Sequence, residues 1–194
     1  MKDIITVIRQ AVEQTQREHM VIAIDGRCAA GKTSLAAELQ KVLDCNVIHM
    51  DHFFLQPQQR TKQRLRQPGG NVDHERFLQE VAAPLQKGVP FAYRVFDCKK
   101  MDFSTEIPVD PGRLTIVEGA YSCHPALWDL YDLRIFLTVD PQEQLRRISH
   151  RNGEAALTMF REKWIPLEEM YFSAYHIKER CDHVFTCGGE KDCQ

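Results

Sequence analysis

The sequence predicts a three-layer α/β domain in which a mostly parallel sheet of about five strands carries helices on both faces. Residues 20–24 form a short continuous apolar run, which is typical of a strand buried on both faces of a parallel sheet. Residues 32–43 follow with apolar side chains at helical spacing, and residues 46–50 supply a second apolar run. This strand–helix–strand beginning favours a parallel sheet.

The remaining elements follow in chain order. Apolar spacing over residues 3–18 predicts a helix before the first strand. Residues 51–72 are rich in Gln and basic side chains and contain Pro and Gly, so we expect a long loop, which in a compact domain is often functional. Beyond it we expect a helix over 77–85, a hairpin off the main sheet from strands 91–96 and 104–109, strands over 114–117 and 133–139, helical sequence from 141 to about 179, and a last strand over 183–186.

Composition excludes several functional classes. The chain has 194 residues, which suits one domain spanning 1–194, and its formal net charge of −2 gives no global attraction to nucleic acid or to an anionic membrane. No apolar run approaches the roughly 18 residues that span a bilayer, and no signal-peptide pattern opens the chain. Seven cysteines at irregular spacing indicate reduced thiols. We therefore expect a cytoplasmic protein.

A phosphate-binding motif lies between the first strand and the helix after it. Residues 26–33 match G-x-x-x-x-G-K-[ST], the P-loop pattern, in the strand-to-helix setting that the motif requires. Backbone N–H groups of such a loop and the positive end of the following helix hold phosphate oxygens. Lys32 is expected to reach the β- and γ-phosphates and Thr33 to ligate Mg²⁺. We expect ATP to be bound by Gly26, Arg27, Cys28, Ala29, Ala30, Gly31, Lys32, Thr33 and Ser34.

A second metal-side group is expected at the end of a neighbouring strand. Glu118 follows the apolar run at residues 114–117, where an acid often serves only as a solvated turn residue. Because a phosphate loop needs an acidic partner for its metal, we assign Glu118 to the magnesium site together with Thr33.

Asp51 is the expected catalytic acid–base residue. The chain contains neither the N-K-x-D nor the D-x-x-G pattern of a GTPase switch, and a motor ATPase usually has a much longer chain. A small transferase remains, and it needs a group that accepts or holds the acceptor hydroxyl's proton. Asp51 follows the second strand, at the sheet edge where ligands bind in α/β proteins. His52 is adjacent, and we rank it below Asp51.

Cations that close over the transferred phosphoryl group are expected in the helix that begins at Pro141. Arginine stabilises the spreading negative charge best where water is excluded. Arg146, Arg147 and Arg151 are candidates, and we favour Arg147 and Arg151 because residues four apart share one helix face. A basic solvated face is the alternative for each. A mobile lid is expected around residues 146–160.

With these residues in place, the sequence resembles the uridine kinase family of P-loop kinases over about residues 21–185. The carriers are residues 23–33, Asp51-His52-Phe53-Phe54, Asn71-Val72-Asp73-His74, Ile116-Val117-Glu118-Gly119 and the Arg146-Arg147 pair before a further arginine. The resemblance implies a P-loop NTPase fold, ATP and Mg²⁺ as cofactors, Asp51 as catalytic base and Glu118 near the metal. It also implies that Asp73 grips acceptor hydroxyls, although an Asp at a helix start is often merely a cap.

The acceptor region is expected within residues 51–110, with Asp51, Phe53, Asp73, Tyr93, Arg94 and Phe96 as binding residues. One departure from the family matters here. Members that phosphorylate uridine and cytidine carry an aromatic residue and a histidine that recognise the base. Phe96 supplies a ring, but no histidine follows, so Tyr93 and Arg94 can belong to a different acceptor pocket.

Three functions remain open at this point. The first is an ATP-dependent kinase of a small hydroxyl-bearing acceptor, most simply a nucleoside. The second is the same chemistry on a non-nucleoside metabolite such as pantothenate or a sugar. The third is a nucleotide-binding regulatory module with little catalysis. An apolar stretch at residues 164–172 is expected to pack in the core, with a homodimer contact as the alternative.

Overall fold

The computed structural model describes residues 2–188 and contains a five-stranded sheet in which every pairing is parallel. The strand order is β2-β5-β1-β6-β7, which confirms the predicted parallel sheet of about five strands. Its strands are β1 (Met20–Gly26), β2 (Asn46–His49), β5 (Leu114–Glu118), β6 (Leu133–Thr138) and β7 (His183–Thr186), and a separate antiparallel hairpin consists of β3 (Phe91–Asp97) and β4 (Asp102–Val109).

The helices cover both faces and the carboxyl edge of this sheet. They are α1 (Lys2–Gln14), α2 (Lys32–Val42), α3 (Lys62–Leu65), α4 (His74–Phe77), α5 (Ala83–Gln86), α6 (Pro141–Asn152), α7 (Glu154–Met159), α8 (Ile165–Tyr175) and α9 (Ile177–Arg180). Wider π-helical turns join α4 to α5 (Leu78–Ala82) and α7 to α8 (Phe160–Trp164). Among residues 2–188, no helix combines the length and apolar character needed to cross a bilayer.

The central strands separate two apolar cores, which makes the fold three-layered. All residues of β1 and β5 are buried. Successive side chains of a strand point to opposite faces. Ile22 and Ile24 therefore pack in one core with side chains of α1 and α2, whereas Val21 and Ala23 pack in the other with Phe77, Tyr93 and Tyr171.

The segment between β2 and β5 forms one insertion at the sheet edge. The expected hairpin is confirmed, because β3 and β4 pair only with each other. The expected loop at 51–72 is wrong in part: it holds 3₁₀ turns at Met50–Phe53 and Pro57–Gln59 and the short helix α3. Its ends are joined by an antiparallel bridge between Phe54 and Val72.

The apolar stretch after α7 is divided between core and cavity. Tyr171 and Phe172 are buried in the larger core, as the core-packing expectation requires. Trp164 is only partly buried, and its ring centroid lies 6.5 Å from that of Phe54 across the sheet edge. This contact joins the insertion to the C-terminal helices, and both rings line the cavity described next.

Candidate functional site

The phosphate-binding motif forms the turn between β1 and α2. Gly26 and Gly31 have φ angles of 131° and 97°, in the region that favours glycine, and Ala29 between them also has a positive φ of 59°. Gly26 is paired with Leu137 of the neighbouring strand β6, and a Cβ atom on Gly26 would lie 1.9 Å from the Leu137 backbone oxygen. The first glycine of the motif is therefore required by packing as well as by conformation.

Replacing Gly26 by Ala is expected to lower the free energy of unfolding by roughly 2–5 kcal/mol, since it combines a backbone clash with an unfavourable φ. In a chain of this size such a loss lowers Tm by roughly 5–15 °C. Thermal unfolding followed by circular dichroism measures it. Gly112→Ala is the matched control, because a Cβ there meets nothing within 4 Å. Equal Tm values for the two variants would contradict this account of Gly26.

Lys32 is held inside the loop. Its side chain is buried, and Nζ donates hydrogen bonds to the carbonyl oxygens of Gly26 (2.7 Å) and Arg27 (2.8 Å). These contacts keep the ammonium group at the mouth of the loop, next to Cys28, Ala29 and Gly31, which line the same cavity. Arg27 points away and pairs with Glu169 at 2.9 Å.

Thr33 and Glu118 meet at the sheet edge. The Thr33 hydroxyl donates to the Glu118 carboxylate at 3.1 Å, and His49 Nδ1 lies 2.5 Å from the same carboxylate. This contact raises the pKa of His49, because the imidazolium is stabilised by its acidic neighbour. A hydroxyl and a carboxylate side by side are oxygen ligands of the kind that Mg²⁺ prefers. The pair therefore fits the predicted metal site.

Asp51 faces a cavity of about 630 Å³ that opens above the phosphate loop. The cavity is lined by Lys32, Thr33 and Glu118 on the sheet side and by Arg147 and Arg151 on the α6 side. The Asp51 carboxylate is exposed to this space, yet the protein around it and the charge of Glu118 raise its pKa. A carboxylate with a raised pKa is a better proton acceptor near neutral pH.

The two favoured arginines of α6 reach the cavity, and the third does not line it. Arg147 donates to the Ala29 carbonyl oxygen at 3.2 Å and to Glu143 at 2.7 Å, which fixes it above the phosphate loop. Arg151 also lines the cavity and acts electrostatically on Asp51. The side chain of Arg146 is 71% exposed and pairs with Glu143. The segment predicted as a lid spans the end of α6, Gly153 and α7.

Five of the residues predicted to bind the acceptor do not line this cavity. Asp73 is only 2% exposed; one carboxylate oxygen caps α4 by accepting from the Arg76 N–H at 3.0 Å, and the other accepts from Gln59 at 2.8 Å. In this structure it has the capping role. Phe53 and Tyr93 are buried in the core, and Phe96 is 3% exposed. Arg94 lies outside and pairs with Glu80.

Asp25 organises the site from behind and was not singled out from the sequence. It is fully buried and accepts hydrogen bonds from the backbone N–H groups of Gly26 (2.6 Å) and Cys123 (2.8 Å) and from the Tyr171 hydroxyl (2.8 Å). One carboxylate thus ties the start of the phosphate loop to the segment after β5 and to α8. Its position before the first motif glycine was the available signal.

Glu168 is a second carboxylate that sequence reasoning missed. It lies on α8, is 6% exposed, lines the cavity and accepts a hydrogen bond from the Cys28 N–H at 2.9 Å. Burial raises its pKa to about 7, against the lowering effect of Lys32. The Glu168 carboxylate is thus the hydrogen-bond acceptor of one backbone N–H group of the phosphate loop, although α8 lies more than a hundred residues away in sequence.

Comparison with known proteins gives the fold a clear match. A search of protein-family models found none that matches the chain. A possible uridine kinase from Bacillus stearothermophilus superimposes with a TM-score of 0.71 at 18% identity, over 95% of this chain and 98% of that one. YFH7 from Saccharomyces cerevisiae, a candidate P-loop kinase with a circular permutation, gives 0.70 at 11% identity, over 97% and 98%. The chain therefore has the P-loop kinase fold, in agreement with the uridine kinase resemblance that its motifs carry.

Proposed function

We propose that this protein is an ATP-dependent kinase that transfers a phosphoryl group to a hydroxyl of a small molecule, with nucleosides as the first acceptors to test. One observation carries the proposal: Arg147 and Arg151 of α6 line the same cavity as Lys32, Thr33, Asp51 and Glu118. Phosphoryl transfer needs phosphate binding, a metal site, a proton acceptor and cations, and each has a residue here.

The residues divide the work as follows. The backbone N–H groups of residues 29–33 and the Lys32 ammonium would hold the phosphates of ATP. Thr33 and Glu118 would hold Mg²⁺, which when bound neutralises charge on the phosphate oxygens. Asp51 accepts the proton of the acceptor hydroxyl, and the oxygen of that hydroxyl forms the new bond to the γ-phosphorus. Arg147 and Arg151 stabilise the negative charge of the transferred group while ADP leaves.

The direct test is ADP release from MgATP, measured by a coupled assay across uridine, cytidine, other nucleosides, pantothenate and simple sugars. Release that depends on the acceptor supports the proposal and names the acceptor class. Slow release that no acceptor accelerates would overturn it in favour of a nucleotide-binding module. Product analysis by mass spectrometry then shows which hydroxyl carries the phosphate.

ATP binding is expected to weaken with rising pH because of Glu168. Charged or titratable groups acting on it are Lys32, Asp25, Cys28 and Tyr121. Below about pH 7 its carboxyl is largely neutral, and above pH 7 it becomes an anion beside the phosphate loop. The negative charge of the triphosphate raises the pKa of Glu168 further. Above pH 7, binding of MgATP is therefore accompanied by uptake of a proton by the Glu168 carboxylate. We expect the Kd for MgATP to rise by up to about tenfold per pH unit above pH 7.

Glu168→Gln is expected to remove this dependence and to bind MgATP at pH 8.5 about as tightly as the wild type does at pH 7. Calorimetric titration between pH 7 and 8.5 measures it. Glu179→Gln, an exposed site on α9, is the matched control and should keep the wild-type profile. A Glu168→Gln profile as steep as that of the wild type would contradict the role of Glu168.

A further inference from the structure

Arg60 stands on the cavity wall. It follows the 3₁₀ turn Pro57–Gln59, is half-buried, and lines the cavity that Asp51 faces. Its Nε donates to the Leu55 carbonyl oxygen at 2.9 Å, and its guanidinium carbon lies 5.9 Å from the centre of the Phe96 ring. These contacts fix the stem and the Nε edge of the guanidinium group, and the Cys98 side chain is a further hydrogen-bond partner of Arg60.

Three other arginines of the insertion between β2 and β5 form ion pairs with glutamates. Arg64 is paired with Glu75 at 2.6 Å, and Arg76 and Arg94 share Glu80 at 3.2 and 2.5 Å. Within residues 2–188, Arg60 makes no ion pair with a carboxylate. A guanidinium that is partly removed from water and lacks an acid in the protein is best balanced by a charge on the ligand.

Arg60 lies on the same insertion as Asp51. Both residues and Cys98 belong to the segment between β2 and β5 and line the same cavity. Partial burial raises the pKa of Cys98, and the neighbouring Arg60 guanidinium lowers it. The insertion therefore supplies both the expected proton acceptor and a cation to this cavity. The cations for ATP come from other elements, since Lys32 lies in the phosphate loop and Arg147 and Arg151 lie on α6.

The charge of the cavity wall points in the same direction. Its basic side chains are Lys32, Arg60, Arg147, Arg151 and Lys163, and its carboxylates are Asp51, Glu118 and Glu168. Lys163 resembles Arg60, because its Nζ lies 4.7 Å from the Trp164 ring and it forms no ion pair among the described residues. Two cations thus remain at the wall after the phosphate-binding set is assigned.

We infer that the phosphate acceptor carries an anionic group, a carboxylate or a phosphate, and that Arg60 binds it while the acceptor hydroxyl faces Asp51. This inference rests on the proposed kinase function and makes the acceptor a hydroxyl compound with a negative charge rather than a neutral nucleoside. The two terminal nitrogens of a planar guanidinium can bind either oxyanion through paired hydrogen bonds. The aromatic side chains of Phe54 and Trp164 line the same cavity.

The test compares acceptors that differ only in charge. ADP release is measured with pantothenate against pantothenyl alcohol and glycerate against glycerol for a carboxylate, and with ribose 5-phosphate against ribose for a phosphate. We expect the charged compound of at least one pair to be phosphorylated faster than its neutral counterpart. That pair shows whether the bound oxyanion is a carboxylate or a phosphate. Arg60→Ala should raise KM for that acceptor about 10- to 100-fold, the factor for a hydrogen bond to a charged group. Arg60→Lys should keep part of the preference.

Binding of MgATP, titrated by calorimetry, should change less than about threefold in the Arg60 variants, because the phosphate-binding set is intact. Arg66→Ala is the matched control: this arginine lies in the same segment, is exposed and does not line the cavity.

Two results would overturn the inference while leaving the kinase proposal intact, and a third case covers failure of that proposal. In the first, neutral acceptors are used best and Arg60→Ala has the wild-type KM for them. The protein would then be a kinase of uncharged compounds. Weakened MgATP binding with an unchanged acceptor preference would make Arg60 a nucleotide clamp. If no compound supports ADP release, the kinase proposal itself fails, and calorimetry with glycerate and ribose 5-phosphate then decides: binding that Arg60→Ala abolishes supports the anion site, and no binding overturns it.

Discussion

Replacing Asp51 by Asn is expected to lower kcat for acceptor phosphorylation by about 10²- to 10⁴-fold, the usual contribution of a positioned general base. Asparagine keeps the shape and hydrogen-bonding reach of the side chain but cannot take up a proton. Because Asp51 lies outside the phosphate loop, the Kd for MgATP should change by less than about threefold. Acceptor-dependent ADP release and calorimetric titration of MgATP measure the two quantities separately.

Asp44→Asn is a suitable control, since Asp44 is exposed beyond α2 and does not line the cavity. Wild-type kcat/KM should also fall on the acid side as Asp51 becomes protonated, because the neutral acid cannot accept a proton. The raised pKa of Asp51 places this acid limb above the range of an ordinary aspartate. Unchanged acceptor phosphorylation by Asp51→Asn would remove Asp51 from the catalytic set.

Arg151→Ala is expected to lower kcat by about 10²- to 10³-fold, comparable to the loss of one preorganised donor at a developing negative charge. Its side chain lines the cavity and acts electrostatically on Asp51, and its Nε donates a hydrogen bond to the side chain of the adjacent Asn152 at 2.8 Å. The guanidinium can therefore turn toward the transferred phosphoryl group without breaking an ion pair. Single-turnover measurements of phosphoryl transfer test the effect on the chemical step.

Arg146→Ala provides the comparison on the same helix. Arg146 is held by Glu143 at the surface and does not line the cavity, so kcat should stay within about twofold of the wild type. Equal losses in Arg146→Ala and Arg151→Ala would indicate a general effect of helix charge and would contradict a specific role for Arg151.

The strands of the sheet were predictable because strands buried on both faces need continuous apolar runs, and residues 20–24 and 114–117 have them. The hairpin was predictable from its alternating pattern. The short helices within 51–72 were not, because they are held by contacts remote in sequence. Arg64, for example, stabilises this segment through Glu75 and the Val72 carbonyl oxygen rather than through any local apolar pattern.

The motif-bearing part of the site was also predictable, because the phosphate loop and the strand ends meet at one sheet edge. Asp73 is a residue whose role the sequence motif did not reveal. A motif cannot distinguish a carboxylate that binds a ligand from one whose oxygens cap a helix and accept from Gln59. Glu168 and Arg60 could not be found from the sequence. Their significance depends on a cavity assembled from α8 and the insertion, and on which arginines lack an acid.

The position of the insertion has a consequence for how such a protein can change its substrate. β2 and β5 are neighbours in the sheet, so the whole segment between them leaves and rejoins the fold at adjacent strands. Arg60 and Cys98 lie inside that segment, whereas the phosphate loop and Glu118 lie outside it. Under the proposed function, mutations within the segment are expected to alter acceptor preference and to leave ATP binding in place. Proteins with this architecture can then diverge in acceptor specificity while the phosphate loop stays the same. A segment transplanted into a related kinase should bring its own acceptor preference with it.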